Sequence, residues 1–450
     1  MNKEQVLSII EPRIETLRLF DFHTHLVGGK LTARGLHDII LYHMGISELY
    51  SAGCPSGRRL TEYPGWPDKE ECHARLREAI PYFAQTVNTS ISWGGRMILA
   101  DLYDWHEPVT LDNFERIDAM IRERADDRAW HREVAEKAHI EHAVTETNRR
   151  EDGVDDDFLF YSVEWAFFTR TQWGEYDTAL YELERTWGGP PTGPTPIGLK
   201  NRPQPERTIQ SANDVRDAMR WYVTHFPETG LVSYATPWSM DIDYSPVAPE
   251  EFEKALKNRH CAGEKERSIY ASYINEVLLD EFGKVHGKRI AFQPSICSDP
   301  LPYESCSRIS QRALAQFADM ISRHPEIRFA FCAASAHANQ TLCTFARELP
   351  NLALCAYWWH NFFPSYISRI ISERLDMLPL NRQLGFFSDA YCLEWAYAKA
   401  KIVKNAMSRV LAAKVETGQF DAETAVHIAK TILYDSSKAW NDNTELLLGN

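Results

Sequence analysis

The sequence predicts one α/β domain over residues 1–450, folded as a (β/α)8 TIM barrel with a large helical insertion after the first strand. Short apolar segments rich in β-branched and aromatic residues alternate with helical patterns, which is typical of a parallel sheet covered on both faces. Eight such segments fit a closed barrel better than an open doubly wound sheet. No glycine-rich phosphate loop follows the first strand, which disfavours a dinucleotide-binding fold.

The eight predicted strands are short and nearly continuous in apolar character. They cover residues 17–24, 140–147, 158–169, 230–237, 289–296, 328–335, 352–359 and 384–390.

Two intervals between strands exceed the ordinary barrel repeat. Residues from about 27 to 138 are mostly helical in pattern, and we expect them to form a subdomain over the barrel mouth. The interval 171–228 contains a loop, 188–194, whose glycines and prolines break any helix. After the last strand, 391–414 and 420–437 are predicted as amphipathic helices that pack on the barrel.

Composition and charge limit the class of protein. Hydrophobic residues are 44% and charged residues 25% of the chain, the balance of a globular protein. A net charge of −14 argues against a nucleic-acid partner. No apolar run is long enough for a membrane helix, and no secretory signal pattern opens the chain. Nine cysteines without paired spacing favour reduced thiols, so we expect a cytoplasmic enzyme.

His23 and His25 lie where the first strand ends. Residues i and i+2 of a strand point to the same side, so both imidazoles can face one metal ion. A single His-x-His pair arises easily by chance among 16 histidines, and a purely structural pair is the alternative. Their position at the carboxyl end of a barrel strand, where barrel active sites lie, favours the metal site.

Asp389 ends the eighth predicted strand, which lies beside the first strand in a closed barrel. Its carboxylate can complete a set of two histidines and one carboxylate with an open coordination position. The alternative is an N-cap for a helix beginning near Ala390.

Further polar and aromatic residues follow other predicted strands. In Trp358-Trp359 the two rings alternate faces, so one packs in the wall and the other faces the pocket, where an aromatic ring suits a sugar; two buried core aromatics are the alternative. His337 and His43 are candidate proton-transfer groups, although each can equally be a surface or packed histidine. Gln293 ends strand five and no lysine ends strand four, which favours one metal over two.

The segment from Asp21 to Leu26 resembles the first-strand motif of the amidohydrolase superfamily. The remainder, from about 17 to 440, resembles the uronate isomerase (glucuronate isomerase) family of that superfamily. The segments that carry this resemblance are 41–44, 355–359 and 388–390.

The resemblance implies an isomerase that converts D-glucuronate to D-fructuronate, or D-galacturonate to D-tagaturonate, on a metal-bearing barrel. It implies one divalent metal, with zinc expected and manganese or cobalt as alternatives, held by His23, His25 and Asp389. Asp389 also transfers protons. The other implied site residues are His43 and Tyr42, which reach the substrate from the insertion, Trp359 at the sugar, and Arg170, which holds the substrate carboxylate.

Three positions depart from the family pattern. Tyr391 stands where an arginine is usual, Gln293 where one branch has histidine, and His360 where phenylalanine is usual. Tyr391, Gln293 and His337 are counted here among the substrate-binding candidates. Because this arginine is missing, the resemblance does not determine which sugar acid is the substrate.

The sequence therefore predicts a metal-dependent aldose–ketose isomerase that acts on a hexuronate or related sugar acid through an enediol. An epimerase of a sugar acid uses the same chemistry. A metal-dependent hydrolase or lyase is the second hypothesis, and a metal-binding barrel without catalysis is the third. The expected partner is a small sugar acid, with no nucleic acid and no membrane, and a homo-oligomer is compatible with the sequence.

Overall fold

A computed structural model describes most of the chain. It covers residues 1–42, 44–56, 68–146, 158–163, 178–188, 206–225, 230–240, 242–259, 263–297, 309–358 and 362–442.

Eight parallel strands form one sheet in the order β1 to β8, as the sequence predicts. The strands are β1 (Leu19–Asp21), β2 (Ile140–Glu146), β3 (Leu159–Val163), β4 (Leu231–Trp238), β5 (Ala291–Ile296), β6 (Arg328–Ala333), β7 (Leu352–Cys355) and β8 (Gln383–Leu384). All eight residues of β4 are buried, and so are all six of β5, because helices cover the outside of the sheet and side chains fill its inside.

The barrel closes between the first and last strands. Beyond the ends of β1 and β8, Phe22 N donates to Phe386 O (3.2 Å), Asp389 N to His23 O (2.9 Å) and His25 N to Ala390 O (2.8 Å). These bonds join the two edges of the sheet and place the segments 22–25 and 386–390 side by side. The fold is therefore a (β/α)8 barrel.

Eighteen α-helices accompany the strands in the part of the chain that the structure describes. They are α1 (Lys3–Glu15), α2 (Leu36–Ile40), α3 (Met44–Ser51), α4 (Lys69–Ala79), α5 (Phe83–Thr86), α6 (Ser90–Tyr103), α7 (Phe114–Arg124), α8 (Arg128–Ala138), α9 (Thr178–Thr186), α10 (Ala212–Thr224), α11 (Pro249–Leu256), α12 (Glu264–Val285), α13 (Gln311–Arg323), α14 (Asn339–Glu348), α15 (Pro364–Met377), α16 (Leu393–Glu416), α17 (Ala422–Lys430) and α18 (Ser436–Asn441).

Helices α2 to α8 lie between β1 and β2 in the chain, within the predicted insertion. That they form a subdomain over the mouth stays a prediction. None of the helices among the residues described above combines the length and apolar content needed to cross a bilayer.

Helix α13 illustrates how local sequence specifies an element. The Ser310 side chain accepts a hydrogen bond from Ala313 N and caps the amino end. Leu314, Phe317 and Ile321 then recur on one helical face and are buried against the barrel.

The C-terminal helices approach β8 closely. Between α17 and α18 the chain forms one π-helical segment, Thr431–Asp435, where the sequence predicts a continuous helix. Gly385 N donates to Ile432 O (2.8 Å), and a Cβ atom at Gly385 would lie 2.4 Å from that oxygen. Only glycine permits this approach, which fixes the chain just before the segment that carries Asp389.

An ionic cluster joins α12 to the end of α13. The Glu276 carboxylate contacts Arg323 (2.8 Å) and His324 (3.3 Å). Although burial raises the pKa of Glu276, these two partners outweigh burial and lower it to about 2. Burial lowers the pKa of His324, but the hydrogen bond to Glu276 and the charges of Glu276 and Glu326 raise it overall.

Glu276 should stabilise the fold in a pH-dependent way. Because its pKa is lower in the folded chain than in the unfolded chain, the contribution is complete above about pH 4.5 and is lost as the pH falls through 2. Glu276→Gln should cost about 2 kcal/mol of unfolding free energy at pH 5.5 and clearly less at pH 3. Urea unfolding of this variant, with the exposed Glu348→Gln as control, measures the difference; equal costs at both pH values would exclude the effect.

Candidate metal centre

Two imidazoles and one carboxylate meet where β1 and β8 end. His23 and His25 follow β1, Asp389 follows β8, and each offers a ligand atom within 4.8 Å of the others. All three residues are buried, with at most 5% of their surface exposed. The sequence predicted this set, and the closed barrel brings it together.

Each histidine is oriented by a hydrogen bond on its Nδ1 atom. His23 Nδ1 donates to Gln293 Oε1 (3.1 Å), and His25 Nδ1 donates to the Glu146 carboxylate. Both Nε2 atoms therefore point towards Asp389, at 3.5 Å from His23 and 3.1 Å from His25 to Oδ1. An oriented tautomer with Nε2 towards the centre is the arrangement that metal-ligating histidines adopt.

The two histidines differ in charge. Burial, with the nearby charge of His25, lowers the pKa of His23 to about 4, so His23 is neutral at pH 7. Burial also lowers the pKa of His25, but Glu146 and Asp389 outweigh it and raise that pKa to about 10. Two carboxylates, Glu146 and Asp389, thus flank the buried imidazole of His25, and their charge must be balanced. When no metal is bound, the proton on His25 supplies the positive charge.

The donor set fits one divalent metal. A metal ion would displace the proton of His25, because ligating imidazoles are neutral. Two neutral imidazoles and one carboxylate are common ligands of zinc and related ions, and they leave a coordination position for a further ligand. Gln293 is engaged with His23, and β4 ends in Pro237-Trp238 with no lysine at the strand end. Both observations agree with one metal rather than two.

Asp389 has an uncommon backbone conformation. Its φ angle is +54°, in the left-handed region that residues other than glycine rarely occupy. Helix α16 begins at Leu393 with Cys392 as its N-cap, so Asp389 does not cap this helix. Strained residues that persist in a fold cluster at functional sites, and here the strain aims a carboxylate at two histidines.

Aromatic side chains surround the three ligand groups. Trp358 Nε1 donates to Asp389 Oδ1 (3.0 Å). The ring of Phe387 stacks on His23 at 4.4 Å, and the ring of Tyr391 stacks on His25 at 4.5 Å. The half-buried Tyr391 is thus a wall of the centre at the position where the resemblance implied an arginine.

The remaining predicted site residues lie in different places. The Tyr42 hydroxyl donates to the backbone oxygen of Asp389 (3.1 Å), and the Tyr42 ring stacks on Trp395. His337 is exposed in the short 3-10 helix Ala336–Ala338 after β6. His43, Arg170 and Trp359 lie outside the described residues, and so does His360.

Sequence reasoning missed several residues that contact the centre or the segment that carries Asp389. Glu146 is the last residue of β2. Its position at the carboxyl end of a strand, where the proposed ligands also lie, could have identified it. For the pair Trp358-Trp359 the sequence predicts Trp359 as the site residue, whereas Trp358 is the one that contacts Asp389. The Asp21 carboxylate accepts a hydrogen bond from Ser388 N (2.8 Å), and burial raises its pKa to about 7.

Comparison with known proteins gives matches in structure only. No protein-family model and no curated protein sequence matches the chain. A glucuronate isomerase from Caulobacter crescentus aligns with a TM-score of 0.76 at 11% identity, over 100% of this chain and 96% of that one. A uronate isomerase from Thermotoga maritima aligns with a TM-score of 0.74 at 14% identity, over 97% of both chains.

A uronate isomerase from Bacillus halodurans aligns with a TM-score of 0.68 at 15% identity, over 99% of this chain and 98% of that one. At these identities the likeness concerns the fold. The chain therefore has, along nearly its whole length, the fold of the uronate and glucuronate isomerases.

Proposed function

We propose that the protein is a metal-dependent aldose–ketose isomerase of a hexuronate or related sugar acid. The observation that carries the proposal is the buried set His23, His25 and Asp389 at the carboxyl ends of β1 and β8. The shared fold with uronate isomerases supports the substrate class. We propose one divalent ion as the cofactor, with zinc expected and manganese or cobalt as alternatives.

The proposed residues have separate tasks. His23, His25 and Asp389 would hold the ion, which would supply positive charge to stabilise the enediol. The Asp389 carboxylate takes the proton from carbon 2, exchanges it with solvent and delivers a proton to carbon 1, so that the enediol becomes the ketose. Tyr42 and His43 assist the transfer of the hydroxyl proton.

The remaining residues bind the sugar acid. Arg170 pairs with the substrate carboxylate because a guanidinium fits a carboxylate through two hydrogen bonds. Trp359 lies against the sugar ring, Tyr391 borders it beside His25, and His337 and Gln293 complete the set of binding residues.

Isomerisation should be visible in a panel of hexuronates incubated with metal-loaded protein in D2O. We expect ketose formation with deuterium entering carbon 1, in a reaction that chelation stops. An aldose recovered with inverted configuration at carbon 2, and with deuterium at that carbon, would favour epimerisation. Cleavage, or the addition of water, would favour the hydrolase or lyase, and metal retention with no turnover of any sugar acid would contradict the enzyme assignment.

A further inference from the structure

A fully buried lysine lies directly behind the centre. Lys399, on α16, has no exposed surface, and its Nζ lies 4.2 Å from the centroid of the Phe362 ring. An ammonium group without water is costly to bury, so its hydrogen bonds are the reason it is tolerated.

The ammonium donates to the segment that presents Asp389. Lys399 Nζ lies 2.5 Å from Ser388 O, 3.3 Å from Asp389 O and 3.2 Å from the Tyr42 hydroxyl. Tyr42 in turn donates to Asp389 O at 3.1 Å. The backbone oxygen of Asp389 thus receives two donors, one of them charged.

The same segment is also held at the backbone nitrogen of Ser388. Asp21 Oδ1 accepts from Ser388 N at 2.8 Å, while Lys399 binds Ser388 O. The two buried side chains therefore hold Ser388 between them. The next residue, Asp389, has the φ angle of +54°, a strained conformation that persists only where the surrounding structure imposes it.

We propose that Lys399 is a positioning residue that holds Asp389 in this conformation and so sets the affinity of the centre for its metal ion. The inference rests on the metal centre of the proposed function, but it requires no particular substrate. Lys399 contacts backbone oxygens and Tyr42 rather than the reacting atoms, so its effect on the ion passes through the direction of the Asp389 carboxylate.

The test measures metal affinity without substrate. Metal-free protein is titrated with Co²⁺ against a competing chelator, and the visible absorption of bound Co²⁺ reports the geometry of its ligands. Lys399→Met keeps the length of the side chain and removes the charge. We expect Co²⁺ affinity to fall by about 10- to 100-fold, with an altered spectrum, as for other residues that orient metal ligands.

Lys401→Met is the matched control because Lys401 lies on the same helix and contacts Asp101 at 2.9 Å instead of the centre. Its Co²⁺ affinity should equal that of the unchanged protein. A folded Lys399→Met variant with the affinity and spectrum of this control would overturn the inference, even if it were less stable to heat.

If Lys399→Met does not fold, Tyr42→Phe decides, since it removes the hydroxyl between Lys399 and Asp389 O. A severalfold loss of Co²⁺ affinity supports the inference and an unchanged affinity overturns it. A panel of sugar acids that are not isomerised would contradict the proposed function alone. Failure of the unchanged protein to bind Co²⁺ would overturn both.

Discussion

Asp389→Asn should abolish metal binding and, with it, the proposed isomerase activity. The carboxylate is the only anionic member of the three proposed ligands, and both histidine Nε2 atoms lie within 3.5 Å of its Oδ1 atom. Asparagine has the same shape but no charge. We therefore expect at least about a hundredfold loss of affinity, beyond the range seen for residues that only orient ligands. Elemental analysis after gel filtration measures the metal content.

Asp104→Asn is a matched control for this variant. Asp104 also has a left-handed backbone, with φ of +53°, but it is exposed at the end of α6. The control should keep its metal and its activity. A full equivalent of metal in purified Asp389→Asn would show that Asp389 is not a ligand.

Glu146→Gln should weaken metal binding without removing any proposed ligand. The Glu146 carboxylate accepts the Nδ1 hydrogen of His25 and is buried beside it. A glutamine oxygen can still accept that hydrogen, but it cannot make His25 electron-rich as a carboxylate does. We expect about a 10- to 100-fold loss of affinity and a smaller loss of activity when metal is in excess.

Glu141→Gln is the control that tests whether loss of any carboxylate on β2 weakens metal binding. Glu141 lies on the same strand but contacts Arg18 and Tyr434 away from the centre. Chelator competition should give an unchanged affinity for this variant. If Glu146→Gln binds metal as tightly as Glu141→Gln, Glu146 has no part in orienting His25.

The barrel could be predicted from sequence because its strands are buried on both sides. All eight predicted strands are present in order, although several are shorter than predicted. The prediction for β8 covered 384–390, whereas the ladder ends at Leu384. Past that residue the chain bonds to the segment after β1 without forming a ladder, and apolar character alone does not distinguish such a segment from a strand.

The three proposed metal ligands could also be predicted, because strand ends in a closed barrel converge. Glu146 also stands at a strand end, so its nearness to the centre could have been predicted in the same way. The role of Lys399 could not be assigned, because it depends on which atoms face a helix residue across the barrel, and packing rather than local pattern fixes that. Tyr391 is predicted to bind the substrate, at the position where the family usually has an arginine. The sequence did not predict that its ring stacks on His25, a contact between the segments that follow neighbouring strands.

The closure between β1 and β8 has a consequence for biosynthesis. His25 and Asp389 are 364 positions apart, so the ribosome makes the two histidines long before the carboxylate that completes the set. The full set of three donors cannot exist on a nascent chain until the eighth strand has emerged and joined the first. Metal capture by all three groups would therefore mark the end of barrel assembly and would protect the finished fold, not its intermediates, against unfolding.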